Sequence, residues 1–169
     1  MKRAITITLA LLAASPVAAG EWGGFYGGAQ IGYLFGDASG GLDGEGAIGG
    51  LHVGYDFDLG DYVFGGELDY DTADVSLDGA ATIEGVTRLK LRGGWDLGQT
   101  LIYGTAGAAR VDTTIGDDNG YFLGAGLAYD LGNGLSAGSE ILWHDFDNID
   151  GAGTDAEATT ISARLSFRF

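Results

Sequence analysis

Hydrophobic and polar residues alternate with a period of two along most of this chain, the spacing of a β-strand whose two faces meet different surroundings. Phe25, Gly27, Ala29, Ile31, Tyr33 and Phe35 share one face, opposite Tyr26, Gly28, Gln30, Gly32 and Leu34. Tyr62, Phe64, Leu68 and Tyr70 oppose Glu67, Asp69 and Asp71, and Ile161, Ala163, Leu165, Phe167 and Phe169 oppose Thr160, Ser162, Arg164, Ser166 and Arg168. Similar ladders run through 47–57, 86–97, 101–112, 121–131 and 135–144. The pattern predicts eight segments of roughly ten residues, the length a tilted strand needs to cross a bilayer.

The links between the segments fall into two classes. Three are short and nearly identical: Phe57-Asp58-Leu59-Gly60-Asp61, Trp95-Asp96-Leu97-Gly98-Gln99 and Tyr129-Asp130-Leu131-Gly132-Asn133. Asp bonds local backbone and Gly tolerates positive φ, so both suit a tight turn, and the leading aromatic sits where an interfacial girdle forms. The other four links, near 36–46, 72–84, 113–119 and 145–158, are longer and polar. Short turns at one end and long links at the other, with an even strand number, predict an all-β, antiparallel, up-and-down transmembrane β-barrel with no open edge.

The first residues change the picture of where the chain works. Met1-Lys2-Arg3 is followed by an apolar run from Ala4 to Ala14, a break at Ser15-Pro16 and the small residues Val17-Ala18-Ala19. This is the three-part pattern of a secretory signal peptide over 1–19, cleaved after Ala19, and it leaves 20–169 as one barrel domain. The run is too short for a retained membrane helix, and the absence of a cysteine after the small residues argues against a lipid anchor. With no cysteine anywhere, disulfides, thiolate metal sites and thiol nucleophiles are excluded. Glycine makes up 33 of 169 residues, but a chain that is 46% hydrophobic and 11% aromatic is not a disordered one. Without Lys2 and Arg3, 24 acids face six bases, a formal charge of −18 that argues against a nucleic-acid partner.

Those six bases are Arg88, Lys90, Arg92, Arg110, Arg164 and Arg168, and alternation turns all of them away from the apolar face. Arg or Lys facing lipid near the midplane costs about 2–4 kcal/mol, which supplies the reason. Glu67, Asp69, Asp112, Glu140, His52 and His144 share the inward face, with Gln30 nearby, and inward glycines at 28, 50, 54, 65, 94, 104, 124 and 126 make room. In so narrow a barrel these charges are expected to pair across the lumen as a plug; the alternative is a charge-lined path or gate. The long links carry Asp37, Asp43, Glu45, Asp71, Asp74, Asp78, Glu84, Asp117, Asp118, Asp145, Asp147, Asp150, Asp155 and Glu157, without Lys or Arg. They read as a solvated surface, or as a site for divalent cations bridging to lipopolysaccharide phosphates. Asp145 to Gly151 only superficially matches a calcium loop, because Ile149 stands where a ligand is needed and no Glu follows at the twelfth position. No metal or cofactor is expected.

Trp22-Gly23-Gly24-Phe25-Tyr26-Gly27-Gly28 with Gly32-Tyr33, and the end Ser162 to Phe169, resemble the first and last strands of the OmpA-like family of small outer-membrane β-barrels, of the opacity-protein type. The final aromatic Phe169 and its partner Phe167 match that family's C-terminal assembly signal, although Arg164 replaces a usual Gly. The resemblance implies eight antiparallel strands with both termini in the periplasm. It also implies recognition by the β-barrel assembly machinery, and roles in envelope integrity, adhesion or limited solute passage. Larger members add a peptidoglycan-binding domain, which is not expected here.

Some eight-stranded barrels deacylate lipid A with a His and a Ser two residues apart on a lipid-facing strand, plus an acid. Here His144 is followed two residues on by Phe146 and His52 by Gly54, and both histidines face inward. The expectation is therefore a non-enzymatic, monomeric structural or surface barrel in contact with outer-membrane lipid and lipopolysaccharide. A small porin, or an adhesin acting through its acidic loops, is the alternative.

Overall fold

The computed structural model describes residues 22–38, 42–77, 81–113, 116–149 and 154–169. The expected leader, 1–19, and the link acids Asp78 and Asp150 lie outside the described residues. The strands are β1 (Gly24–Ala38), β2 (Leu42–Asp58), β3 (Tyr62–Leu77), β4 (Ala81–Asp96), β5 (Thr100–Thr113), β6 (Gly116–Gly132), β7 (Leu135–Ile149) and β8 (Thr154–Arg168). Each pairs antiparallel with its chain neighbours and β1 pairs with β8, closing the barrel as expected. Among the described residues no helix is long and apolar enough to cross a membrane.

The repeated turns use the chemistry anticipated for them. The Oδ1 atoms of Asp58, Asp96 and Asp130 accept the N–H groups of Gly60, Gly98 and Gly132 at 2.8, 2.7 and 2.8 Å, and these glycines take φ of +89°, +81° and +88°. Because eight strands alternate in direction, Gly24 and Phe169 lie at this same rim, where the Phe169 N–H donates to the Phe25 carbonyl at 2.9 Å.

The strands are longer than the ten residues expected, at 14 to 17. On the long-link side they continue well into 36–46, 72–84, 113–119 and 145–158. Backbone pairing there needs no lipid-facing side, so the hydrophobic alternation fades while the ladder goes on. The outer face carries two aromatic tiers, eight residues apart on β3 (Tyr62, Tyr70) and on β6 (Tyr121, Tyr129). At about 3.3 Å per residue and a tilt near 40°, the greasy band between them is about 20 Å tall. Leu91, at 73% exposed, sits at mid-height on β4, level with Gly66 of β3.

Strand β5 reverses one expectation. Leu101, Tyr103, Thr105, Ala109 and Val111 are buried in the lumen, and Ile102, Gly104, Ala106 and Ala108 face outward. Arg110 and Asp112 therefore lie on the outer face rather than in the lumen, with side chains 54% and 40% exposed and 3.6 Å apart. The position costs little because Ala108 pairs with Tyr121 and Arg110 with Asn119, one step past the aromatic tier and beyond the greasy band.

Candidate functional site in the barrel lumen

Strand parity brings the remaining predicted charges together. Arg88, Lys90 and Arg92 of β4, Arg164 and Arg168 of β8, Glu67 and Asp69 of β3 and Glu140 of β7 are all at most 9% exposed. Two further carboxylates join them. Asp71, which alternation groups with Glu67 and Asp69 but which also counts among the link acids, is 1% exposed because β3 continues past it with its inward parity intact. Asp56 is fully buried and was missed, although it shares parity with His52 and Gly54 on β2. Among the described residues five carboxylates thus face five cations, and their formal charges cancel.

The network runs along the barrel axis. Near the long-link end, Arg88 bonds Asp71 at 2.6 Å and Asp69 at 3.2 Å, and donates its Nε–H to His144 Nε2 at 2.8 Å. That bond leaves His144 Nδ1, 3.2 Å from the Ala158 carbonyl, to carry the ring proton. At mid-height the Lys90 ammonium is held by Glu140, Asp69 and Glu67 at 2.5, 2.6 and 3.2 Å. Arg164 bridges Glu67 and Glu140 at 2.6 and 2.8 Å. The Tyr26 and Tyr103 hydroxyls donate to Glu67 and Glu140 at 2.8 and 3.0 Å. Toward the turns, Asp56 takes Arg168 at 3.0 Å and Arg92 at 3.5 Å.

The carboxylate oxygens of Glu67, Asp69 and Glu140 lie within 4.8 Å of one another, close enough to share a metal ion. The Lys90 ammonium already stands among them as their cation. The inward glycines serve these groups, though mainly by admitting aromatic rings and carboxylates rather than long cationic chains. A methyl group on Gly54 would strike the Tyr26 hydroxyl, one on Gly126 the Tyr103 ring and one on Gly65 the Asp56 carboxylate. Gly104 is outside this set, on the outer face of β5.

Apolar layers close both ends of the ionic section. Trp22, Val63, Leu101 and Tyr103 pack at the turn end, and Leu34, Ile48, Val86, Val111, Phe122 and Phe146 pack at the other with Ala109 and Leu142. Among the described residues one space of about 20 Å³ lies beneath Trp22 and another beside Arg88 and His144, each with room for about one water.

The structure also makes a pair that linear spacing hides, Ser166 Oγ at 2.8 Å from His52 Nε2, meeting over Gly28 of β1 on the lumen face. A nucleophile–base pair needs a third group to orient the base, and His52 Nδ1 has no hydrogen-bond partner among the described residues. Phe167 and Phe169, the two residues expected to form an assembly signal, both face outward and meet edge to face with ring centroids 5.5 Å apart.

The family model for the outer membrane protein beta-barrel domain matches residues 4–169. The 22 kDa outer membrane protein of Rhizobium leguminosarum bv. viciae is 33% identical over 143 residues, which cover 78% of this chain and 68% of that protein. Among solved structures, Neisserial surface protein A is similar with a TM-score of 0.64 at 12% identity, over 86% of this chain and 97% of that one. The outer membrane protease OmpT of Escherichia coli is similar with a TM-score of 0.54 at 11% identity, over 86% of this chain and 96% of that one. At such identities the structural likeness is one of fold.

Proposed function

This chain belongs to the outer membrane protein β-barrel domain family, and we propose that it serves the outer membrane as a closed structural barrel that supports envelope integrity without conducting solutes. One observation carries the reading: among the described residues five buried carboxylates and five buried cations balance inside the lumen, between apolar layers at either end. An ion entering that section would have to break charge-assisted bonds that are shielded from water, and removing one partner of such a pair costs about 3–5 kcal/mol.

In this reading the greasy band contacts lipid, the strand extensions meet lipopolysaccharide, and the turn rim with both chain ends faces the periplasm. The barrel acts as a monomer, and Phe167 and Phe169 present the chain to the β-barrel assembly machinery. The reading includes no catalytic step. A shared fold with a protease does not transfer chemistry, and the enclosed His52–Ser166 pair lacks the orienting carboxylate that an activated serine requires.

Planar-bilayer recording on the refolded protein tests the proposal. The expected result is a baseline without unitary steps across neutral pH. Reproducible unitary conductance would overturn the plug and replace it with a small charge-lined porin.

A further inference from the structure

The residues just before β1 form a device that the closed-barrel reading does not require. Trp22 precedes the first strand, yet it is only 3% exposed, lying across the lumen mouth at the turn rim. The chain reaches that place through Gly23 and Gly24. Gly24 has φ of +110°, a conformation that side chains disfavour, and Gly23 passes so close to the β2–β3 turn that a methyl group there would lie 3.1 Å from Asp58 Cβ. Two adjacent glycines at a bend are the composition of a hinge.

What the hinge carries is anchored at its edges. The Trp22 indole N–H donates to the Gly98 carbonyl of the β4–β5 turn at 3.0 Å, and its backbone N–H donates to Asp58 Oδ2 of the β2–β3 turn at 3.1 Å. The Arg168 guanidinium lies 5.8 Å from the Trp22 ring centre and 4.9 Å from that of Tyr26, near enough for cation–π attraction. The same guanidinium bonds the Gly24 carbonyl at 3.1 Å and Asp56 at 3.0 Å. One residue from the last strand thus touches the bend, the ring and the β2 acid together.

We propose that Trp22 is a hinged lid over the turn-side mouth of the lumen, swinging on Gly23-Gly24 and latched by Arg168. Closed, it keeps water from the void of about 20 Å³ beneath it, which Tyr26, Arg92, Tyr103 and Arg164 help to line. Released, it admits water to the ionic network from that rim. The penultimate residue of β8's end of the chain therefore controls the position of the segment that enters β1.

Tryptophan quenching tests this directly, because Trp95 and Trp143 are the other two tryptophans and both face outward. In a W95F/W143F background, refolded into vesicles, Trp22 is the sole emitter. The expected result is weak quenching by aqueous acrylamide and by brominated lipid alike. Arg168→Met removes the latch and Gly24→Ala strains the hinge. Each should raise acrylamide quenching several-fold while heat-dependent gel mobility still reports a folded barrel. Strong quenching of Trp22 by either agent in the parent overturns the lid. So does unchanged protection in the folded variants, which would make Trp22 a fixed part of the core. If Arg168→Met does not fold, Gly24→Ala carries the decision. Quenching reads the lid and bilayer recording reads the pore, so the two proposals fail separately.

Discussion

Replacing Lys90 with Met keeps the length and most of the volume of the side chain and removes one charge from the centre of the lumen. Three carboxylates then lose the ammonium that lies 2.5, 2.6 and 3.2 Å away, and five buried acids face four buried bases. Stripping one partner from a buried ion pair costs about 3–5 kcal/mol, chiefly because the remaining charge stays desolvated and uncompensated. Lys90→Met should cost an amount in that range, and Glu140→Gln should also be strongly destabilising, since Arg164 and Lys90 would lose their shared negative charge and one of them would face an amide NH2. The double variant restores balance at four acids and four bases. It should therefore be more stable than additivity predicts, by about 1.5 kcal/mol or more, within the coupling seen for residues in one network. Equilibrium urea titration of vesicle-embedded protein, followed by tryptophan emission and gel mobility, gives all four corners of the cycle. A Lys90→Met protein within about 1 kcal/mol of the parent would refute the reasoning, and so would strict additivity.

Position on the barrel wall should decide the cost of a charge. Leu91→Arg, at mid-height on the outer face, is expected to cost about 2–4 kcal/mol in the same titration, whereas Arg110→Ala beyond the aromatic tier should change stability by less than about 1 kcal/mol. At the β4–β5 turn, Gly98 has φ of +81° and open space around it, so Gly98→Ala meets no clash and should cost only the conformational penalty of about 1–2 kcal/mol.

The barrel itself was legible because β4 and β8 carry their polarity on one face. Arg88, Lys90 and Arg92 interleave with Leu89 and Leu91, so that parity alone places the charges inside. Strand β5 offers no such contrast. Leu101 and Tyr103 look as lipid-facing as Ile102, and the small residues Gly104, Ala106 and Ala108 suit either side. What turns Tyr103 inward is space left on either side of it by Gly94 and Gly126, its paired neighbours on β4 and β6, a fact that no single strand encodes. The strand ends were illegible for a related reason, since the backbone stays paired where the outer face is no longer apolar. Asp71 consequently read both as part of the polar face of its strand and as a link acid, and Asp56, inside the 47–57 ladder and one residue before a repeated turn motif, was not among the acids expected in the lumen. Charge balance points toward both: alternation sets six inward cations against four inward acids, and moving Arg110 and Asp112 together to the outer face keeps the deficit at two.

All of this rests on greasy residues meeting lipid while the ionic residues stay within. Spin labels placed singly at Leu91, Ala106 and Arg110 test that division, read by collision with oxygen in the acyl region and with a water-soluble nickel chelate outside it. The prediction is oxygen contact at 91 and 106, and a switch to nickel contact at 110. Aqueous contact at 91 or 106, or acyl-chain contact at 110, would contradict it.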